Sequence, residues 1–197
     1  MKDILNTLMN RTLHKHMNKL EPLLLRYPAF HTRDSFEEKR FVLRFARRED
    51  LPDIVELERK GYDGYLAWDL VDFIRDWNRN RYGVYILLEK KDGENKRKLI
   101  GMVIGRFVMN RSHISHLVVD PDLQSQGLGS YLLEVWLKST VYLNKNEVTL
   151  EVRESNVTAQ RLYFKYGFKI QQVKNHYYDS GESALYLKKV LKSGEDF

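Results

Sequence analysis

The sequence predicts an α/β fold built on one mixed β-sheet of about seven strands, and three stretches carry that prediction. His116-Leu-Val-Val-Asp-Pro-Asp-Leu-Gln-Ser-Gln-Gly-Leu-Gly-Ser130 reads as a strand, a glycine loop and a helix start. Two β-prone runs, 82–88 and 99–108, precede it and are joined by a charged segment containing Asp92-Gly93, so they form an antiparallel hairpin leading into that strand. The helical segment 131–143 then returns the chain to a run at 147–153, which must lie parallel to the strand it left.

Taken in order, the first thirty residues place Leu5, Leu8, Met9, Leu13, Met17, Leu20 and Leu24 at helical spacing. Pro22 and Pro28 are expected to break or kink that helix. A basic amphipathic helix of this kind suits a transit peptide, a membrane surface, a docking partner or its own domain, and Asp3 and Glu21 argue against the first. Residues 31–40 read as a charged linker. Run 41–46 is a first strand, and Asp50 with Pro52 and Asp53 marks a helix start reaching about residue 60. Gly61-Tyr-Asp-Gly-Tyr-Leu-Ala-Trp68 is an aromatic loop before a second helix over 68–80.

In the opening stretch Ile114, His116 and Val118 alternate with Ser115, Leu117 and Val119, which predicts one shared face for each set. Pro121 ends the strand. The following helix has the apolar stripe Leu128, Leu132, Val135, Trp136, Tyr142 and Leu143. On run 147–153, Glu147, Thr149, Glu151 and Arg153 share the face opposite Val148, Leu150 and Val152. Asn156 caps a helix through Leu162, Tyr163 and Tyr166 that stops at Gly167, and two β-prone runs, 168–174 and 183–190, complete the sheet.

Composition narrows the chemistry. At 197 residues and 43% hydrophobic, the chain buries one good core with an appendage. It contains no long apolar run or signal-peptide pattern, so neither membrane insertion nor secretion is expected and the expected location is cytoplasmic. With zero cysteines, disulfides, thiolate zinc sites and covalent cysteine chemistry are excluded. The charge of +6 suits acidic partners such as a nucleotide cofactor, RNA or an acidic protein surface. No basic stretch is interleaved with stacking aromatics, so nucleic acid is not expected as the direct substrate.

Gly127 and Gly129 stand where unpaired N–H groups of a helix start point outward, which makes an anion cradle. A Walker loop would need Lys after the second Gly, and a dinucleotide fingerprint would need Gly where Leu132 stands. Gln124-x-x-Gly127-x-Gly129 therefore reads either as a phosphate site or as a glycine-rich helix start. Glu151 reads as a base or as the surface partner of Arg153, and Tyr163 as an acid or a packed aromatic. His116 is a second candidate base. His113 and His116 are not expected to bind a metal together, because an odd offset on a regular strand points the rings to opposite faces.

Leu117-Val-Val-Asp-Pro-Asp-Leu-Gln-Ser-Gln-Gly-Leu-Gly-Ser130, Leu150-Glu-Val-Arg-Glu-Ser-Asn156 and Leu162-Tyr-Phe-Lys-Tyr-Gly-Phe168, in that order, resemble the motifs of the GNAT superfamily of acetyl-CoA-dependent N-acetyltransferases. With Tyr177-Tyr178 and Glu182, the likeness is closest to the RimI type, which acetylates protein N-termini. The resemblance implies the GNAT fold, with helices on both faces of the sheet, over residues 41–190, an extension and linker over 1–40, and a tail over 191–197. It implies acetyl-CoA as cosubstrate and no metal. Leu117, Val118 and Val119 would pair with the pantetheine arm. Gln124, Ser125, Gln126, Gly127, Leu128, Gly129 and Ser130 would hold the pyrophosphate, with Asn156 as a further contact. Glu151 would be the general base and Tyr163 the general acid, with Tyr62, Tyr65, Trp68, Tyr177 and Tyr178 around the acceptor. The expected acceptor is a protein N-terminal α-amine, possible on a ribosomal protein; the alternatives are a small amine, or a non-catalytic acetyl-CoA-binding or ribosome-associated module.

Overall fold

The computed structural model describes residues 15–24, 41–62, 67–91 and 96–192. Seven strands are present among these residues: β1 (Phe41–Phe45), β2 (Gly83–Lys91), β3 (Arg97–Val108), β4 (Arg111–Val119), β5 (Glu147–Arg153), β6 (Lys169–Lys174) and β7 (Ala184–Val190). The helices are α1 (Lys15–Leu24), α2 (Leu51–Gly61), α3 (Leu70–Arg79), α4 (Leu128–Tyr142) and α5 (Val157–Lys165). The strands form one sheet in the order β1-β2-β3-β4-β5-β7-β6. β4 and β5 are parallel, as the helical return between them requires, and the other pairs are antiparallel.

Helices cover both faces. On one, Trp136 of α4 stacks on Phe107 at 4.6 Å and donates to Ser112 Oγ at 3.0 Å. On the other, α2 rests Gly61 against Val118 and brings Glu58 to 3.2 Å from His116. The expectation that Ile114, His116 and Val118 share a face is overturned. Ile104 pairs with His116 and Gly105 with Ile114, so Ser115 is an unpaired extra residue. A bulge advances the pleat by one position, which turns His116 and Val118 toward α2 while Ile114 stays with Ser112 on the α4 face. The same bulge places His113 and His116 on one face and removes the odd-offset argument, although each ring has a different partner.

α1 packs on the sheet through Met17 and Leu20, which are buried, and the His16 ring lies 5.8 Å from Phe107. Helix α1 continues through Pro22 to Leu24, the last position of the expected apolar stripe, with one backbone donor missing. Leu5, Leu8, Met9, Leu13 and the linker lie outside the described residues, as do Asp92 and Gly93 of the hairpin turn. Strand pairing takes in Lys90 and Lys91 on one side and Arg97 and Lys98 on the other, so much of the charged run is strand. α3 begins at Leu70 because Asp69 and Asp72 each accept the other's backbone N–H. α4 is buried more broadly than its predicted stripe: Leu133 and Leu137 are also enclosed, while Tyr142 is exposed.

Candidate active site

β4 and β5 pair only from Arg111↔Glu147 to Ile114↔Leu150. Beyond that point β4 stays with β3 as far as Val119, and β5 stays with β7 as far as Arg153. The two central strands therefore open into a wedge starting at the Ser115 bulge, since a bulge bends and twists the strand carrying it. Along the wedge, Leu117 and Val119 turn their backbone groups toward β5, where no β5 residue pairs with them, whereas Val118, in step with Asp120 N–H to Ile100 C=O, turns its own toward β3.

The glycine loop stands at the mouth of the wedge. Asp120 anchors it by accepting from Asp122 N–H and pairing with Lys98 at 2.9 Å. Ser125 and Gly127 adopt φ values of 62° and 85°, and Gly127 caps α4 without a side-chain acceptor. The first intrahelical backbone bond there is Tyr131 N–H to Gly127 C=O, which leaves the N–H groups of Leu128, Gly129 and Ser130 open for an anion. Gln124, Ser125, Gln126 and Gly127 are exposed, but Gln124 donates its amide to the Val119 carbonyl and so ties the loop to β4. The Leu128 side chain is buried in the core, and only its backbone faces the cradle.

The opposite wall is α5. Asn156 Oδ1 accepts from Ala159 N–H at 3.0 Å, so its cap function is met and its amide nitrogen takes no part in the cap. Tyr163, about two helical turns further on, is buried against Phe168. Burial, with a smaller contribution from Tyr178, raises the Tyr163 pKa well above the ordinary phenol value. Tyr62, at the end of α2, is raised by burial and by its neighbours Tyr163, Glu58 and Tyr178. Three phenols from separate elements thus converge and keep their protons at neutral pH. Burial likewise lifts Tyr178 to about 12, against the opposing charge of Arg153.

Glu151 is not paired with Arg153. Its Oε1 lies 2.6 Å from Lys174 Nζ on β6 and its Oε2 lies 3.3 Å from His113 Nε2 on β4. Burial works to lower the Lys174 pKa, but the bond to Glu151 and the surrounding charge raise it overall. His113 is pushed well down, first by burial and then by Arg106, Lys174 and Arg111, against the pull of Glu151. Its Nδ1 is 2.9 Å from Thr149 Oγ1, which itself donates to the Ser112 carbonyl. Thr149 must therefore accept from Nδ1–H, which leaves the Nε2 lone pair of neutral His113 facing Glu151. That lone pair can accept a hydrogen bond from Glu151 once the carboxylate has taken a proton. Spacing alone raises His113 only in a metal pair with His116 that it argues against; its position across from Thr149 depends on strand register.

Arg153 instead pairs with Glu182 at 2.7 Å and lies 3.9 Å from the Tyr178 ring centroid. Glu182 also accepts from Ser155 N–H, and the Ser155 and Arg153 bonds together hold its pKa down to about 2. A depressed carboxyl stabilises the folded state fully above its unfolded value, and this contribution is lost progressively as pH falls from there through about 2. This clasp orients the Tyr177-Tyr178 loop. Glu182→Gln is expected to raise the acceptor KM several-fold and leave the acetyl-CoA Kd nearly unchanged, measured by initial rates and calorimetry; equal shifts in both would remove the clasp from acceptor binding.

The other expected acceptor residues divide. Tyr177 is exposed and packs edge-on against Tyr178 at 5.1 Å. Trp68 turns inward, 4.7 Å from the His116 ring and 5.3 Å from Phe73, and also borders a surface cavity of about 490 Å³ with Asp72 and Arg75 of α3. It does not meet Glu151. Tyr65 lies outside the described residues. His116 is buried between Trp68, Phe73 and Glu58 and does not reach the glycine loop.

Comparison with known proteins places these features in context. Residues 92–191 match the family model described as acetyltransferase (GNAT) domain. A Bacillus subtilis protein provisionally named as a ribosomal protein bS18-alanine N-acetyltransferase is 31% identical, over 74% of this chain and 93% of its own length. The N-alpha-acetyltransferase of Sulfurisphaera tokodaii is 29% identical, over 76% of this chain and 92% of its own. The crystal structure of the ribosomal-protein-S18-alanine N-acetyltransferase from Escherichia coli superposes with a TM-score of 0.67 at 25% identity, covering 80% of this chain and 98% of that one.

Proposed function

This chain belongs to the GNAT acetyltransferase family, and from that premise we propose that it transfers an acetyl group from acetyl-CoA to the N-terminal α-amine of a protein. The observation that carries the reading is the wedge between β4 and β5, with an open anion cradle at its mouth and Glu151 beside its apex. The relatives' names supply the acceptor class, and the N-terminus of a ribosomal protein is one acceptor within it. No helix among the described residues is long and apolar enough to cross a membrane.

The residues present fit acetyl-CoA. Leu117 and the N–H of Val119 offer strand-edge groups to its amide-bearing arm, with Val118 between them, and the N–H groups of Leu128, Gly129 and Ser130 offer donors to its pyrophosphate. Gln126 and Ser125 flank that site in the loop, and the Asn156 amide nitrogen, which takes no part in the cap of α5, would be a further contact to the cosubstrate. The cosubstrate supplies an activated acetyl thioester.

An α-amine has a pKa of about 8, so a fraction of it is neutral near pH 7. Glu151 takes the remaining proton as the nitrogen becomes acylated, and His113 Nε2 gives that proton a second place to rest. Lys174 holds the carboxylate in position. Tyr163 stays protonated because burial raises its pKa, so it has a proton to give to the departing thiolate. Tyr62, Tyr177 and Tyr178 flank the acceptor chain.

The test offers one peptide with a free α-amine and the same peptide with a blocked N-terminus and an added lysine, with fragment masses locating the label. Acetylation confined to the lysine, or to polyamines, would overturn the acceptor assignment. Tyr163→Phe is expected to slow thiol release by about a hundredfold without weakening acetyl-CoA binding, and a wild-type rate would remove the phenol from the chemistry.

A further inference from the structure

A cavity of about 420 Å³ leads away from Glu151 across the α2 face of the sheet toward the β3–β4 turn. Arg106, Arg111, His113, Thr149 and Lys174 are among its lining residues. Its charges are unevenly matched. Glu151 is held by Lys174, and Glu147, next along the same face of β5 beyond Thr149, is held by Lys188 at 3.6 Å. Both acids on this face of β5 thus have a lysine. Arg106, opposite His113, and Arg111, at the far end opposite Glu147, are both exposed, and no carboxylate of the described residues pairs with either. Burial and these guanidinium groups both push His113 toward its neutral form, against the pull of Glu151, so it adds no charge of its own.

We infer that this cavity selects acceptors with an acidic residue at the second to fourth position, its carboxylate meeting Arg106 and Arg111 while the α-amine meets Glu151. The inference rests on the N-terminal acceptor reading above. Length agrees with it: Arg111 stands opposite Glu147, four residues from Glu151 on β5, or about 13 Å at about 3.3 Å per residue. An extended acceptor covers that distance within its first four residues. A planar guanidinium pair accepts a carboxylate in a defined orientation, whereas a neutral side chain leaves both cations as they are in the free protein.

The experiment uses the full chain, acetyl-CoA and three sets of peptides differing only in Ala, Asp or Lys at positions two to four. Asp peptides are expected to show kcat/KM about tenfold above Ala peptides at low salt, narrowing as salt rises. In the Arg106→Ala, Arg111→Ala double variant that ratio should fall to within about twofold of one. Arg106→Glu with Arg111→Glu should turn the preference toward Lys, a result that a loss of folding cannot imitate. Equal kcat/KM for Asp and Ala peptides would overturn the inference while leaving N-terminal transfer in place. Failure to acetylate any peptide, with transfer to another amine intact, would overturn the acceptor reading and this inference together.

Discussion

Glu151→Gln is expected to lower kcat by two to three orders of magnitude, about the contribution of one well-placed general base. The substitution keeps the shape of the side chain and its reach to Lys174 and His113, so the wedge and cradle should persist. What it removes is the capacity to take a proton. A neutral amide between an ammonium and an imidazole lone pair can hydrogen-bond to both but cannot accept the acceptor's proton. The loss should therefore fall on kcat, with the acetyl-CoA Kd within about twofold of wild type, as for a group acting in the transition state. Thiol release followed by absorbance and calorimetric titration of acetyl-CoA separate the two. An unchanged kcat would exclude Glu151 as the base, and a lost Kd would mean that its charge holds the cradle together.

Gly105→Ala should be the most damaging conservative change on the sheet, costing about 3 kcal/mol or more in urea denaturation. A Cβ there would lie 2.0 Å from the His113 carbonyl oxygen and 2.9 Å from two carbons of the Trp136 ring. Neither neighbour can rotate away: one is backbone within the sheet, the other a fully buried indole bonded to Ser112. Relief requires moving β4 at its bulge, and His113 would move with it, so activity should fall as well. Gly101→Ala supplies the contrast. Its Cβ would meet the flexible end of Leu132 at 3.0 Å, which can shift by a few tenths of an ångström. A cost under about 1 kcal/mol at Gly105 would show that β3 and β4 separate more easily than their packing implies.

Elements that depend only on near neighbours along the chain are legible in the sequence itself. Alternation identifies β5 and its two faces, Asn156 announces the start of α5, and Gly167, at φ 81°, marks its end. Gly127 and Gly129 declare the cradle because an uncapped helix start needs no distant partner to be recognised. The site's charged pairs are not legible in this way. Sequence alone sets Glu151 against Arg153, its neighbour on the same strand face, but its partners are Lys174 and His113. Arg153 belongs to Glu182, on the segment between β6 and β7. Trp68, which the sequence places in an aromatic acceptor loop, packs on His116 because the Ser115 bulge turns that ring toward α2.

Local conformation, periodicity and side-chain type already set the order of strands and helices along the chain, the glycine cradle and the residues able to carry a proton. Which of those residues meet depends on the folded sheet. The reason is the pleat: each strand position faces one of two sides, a single extra residue at Ser115 exchanges them, and its presence depends on how β4 registers against β3. That register places His113 beside Glu151, buries His116 with Glu58 and opens the wedge between β4 and β5.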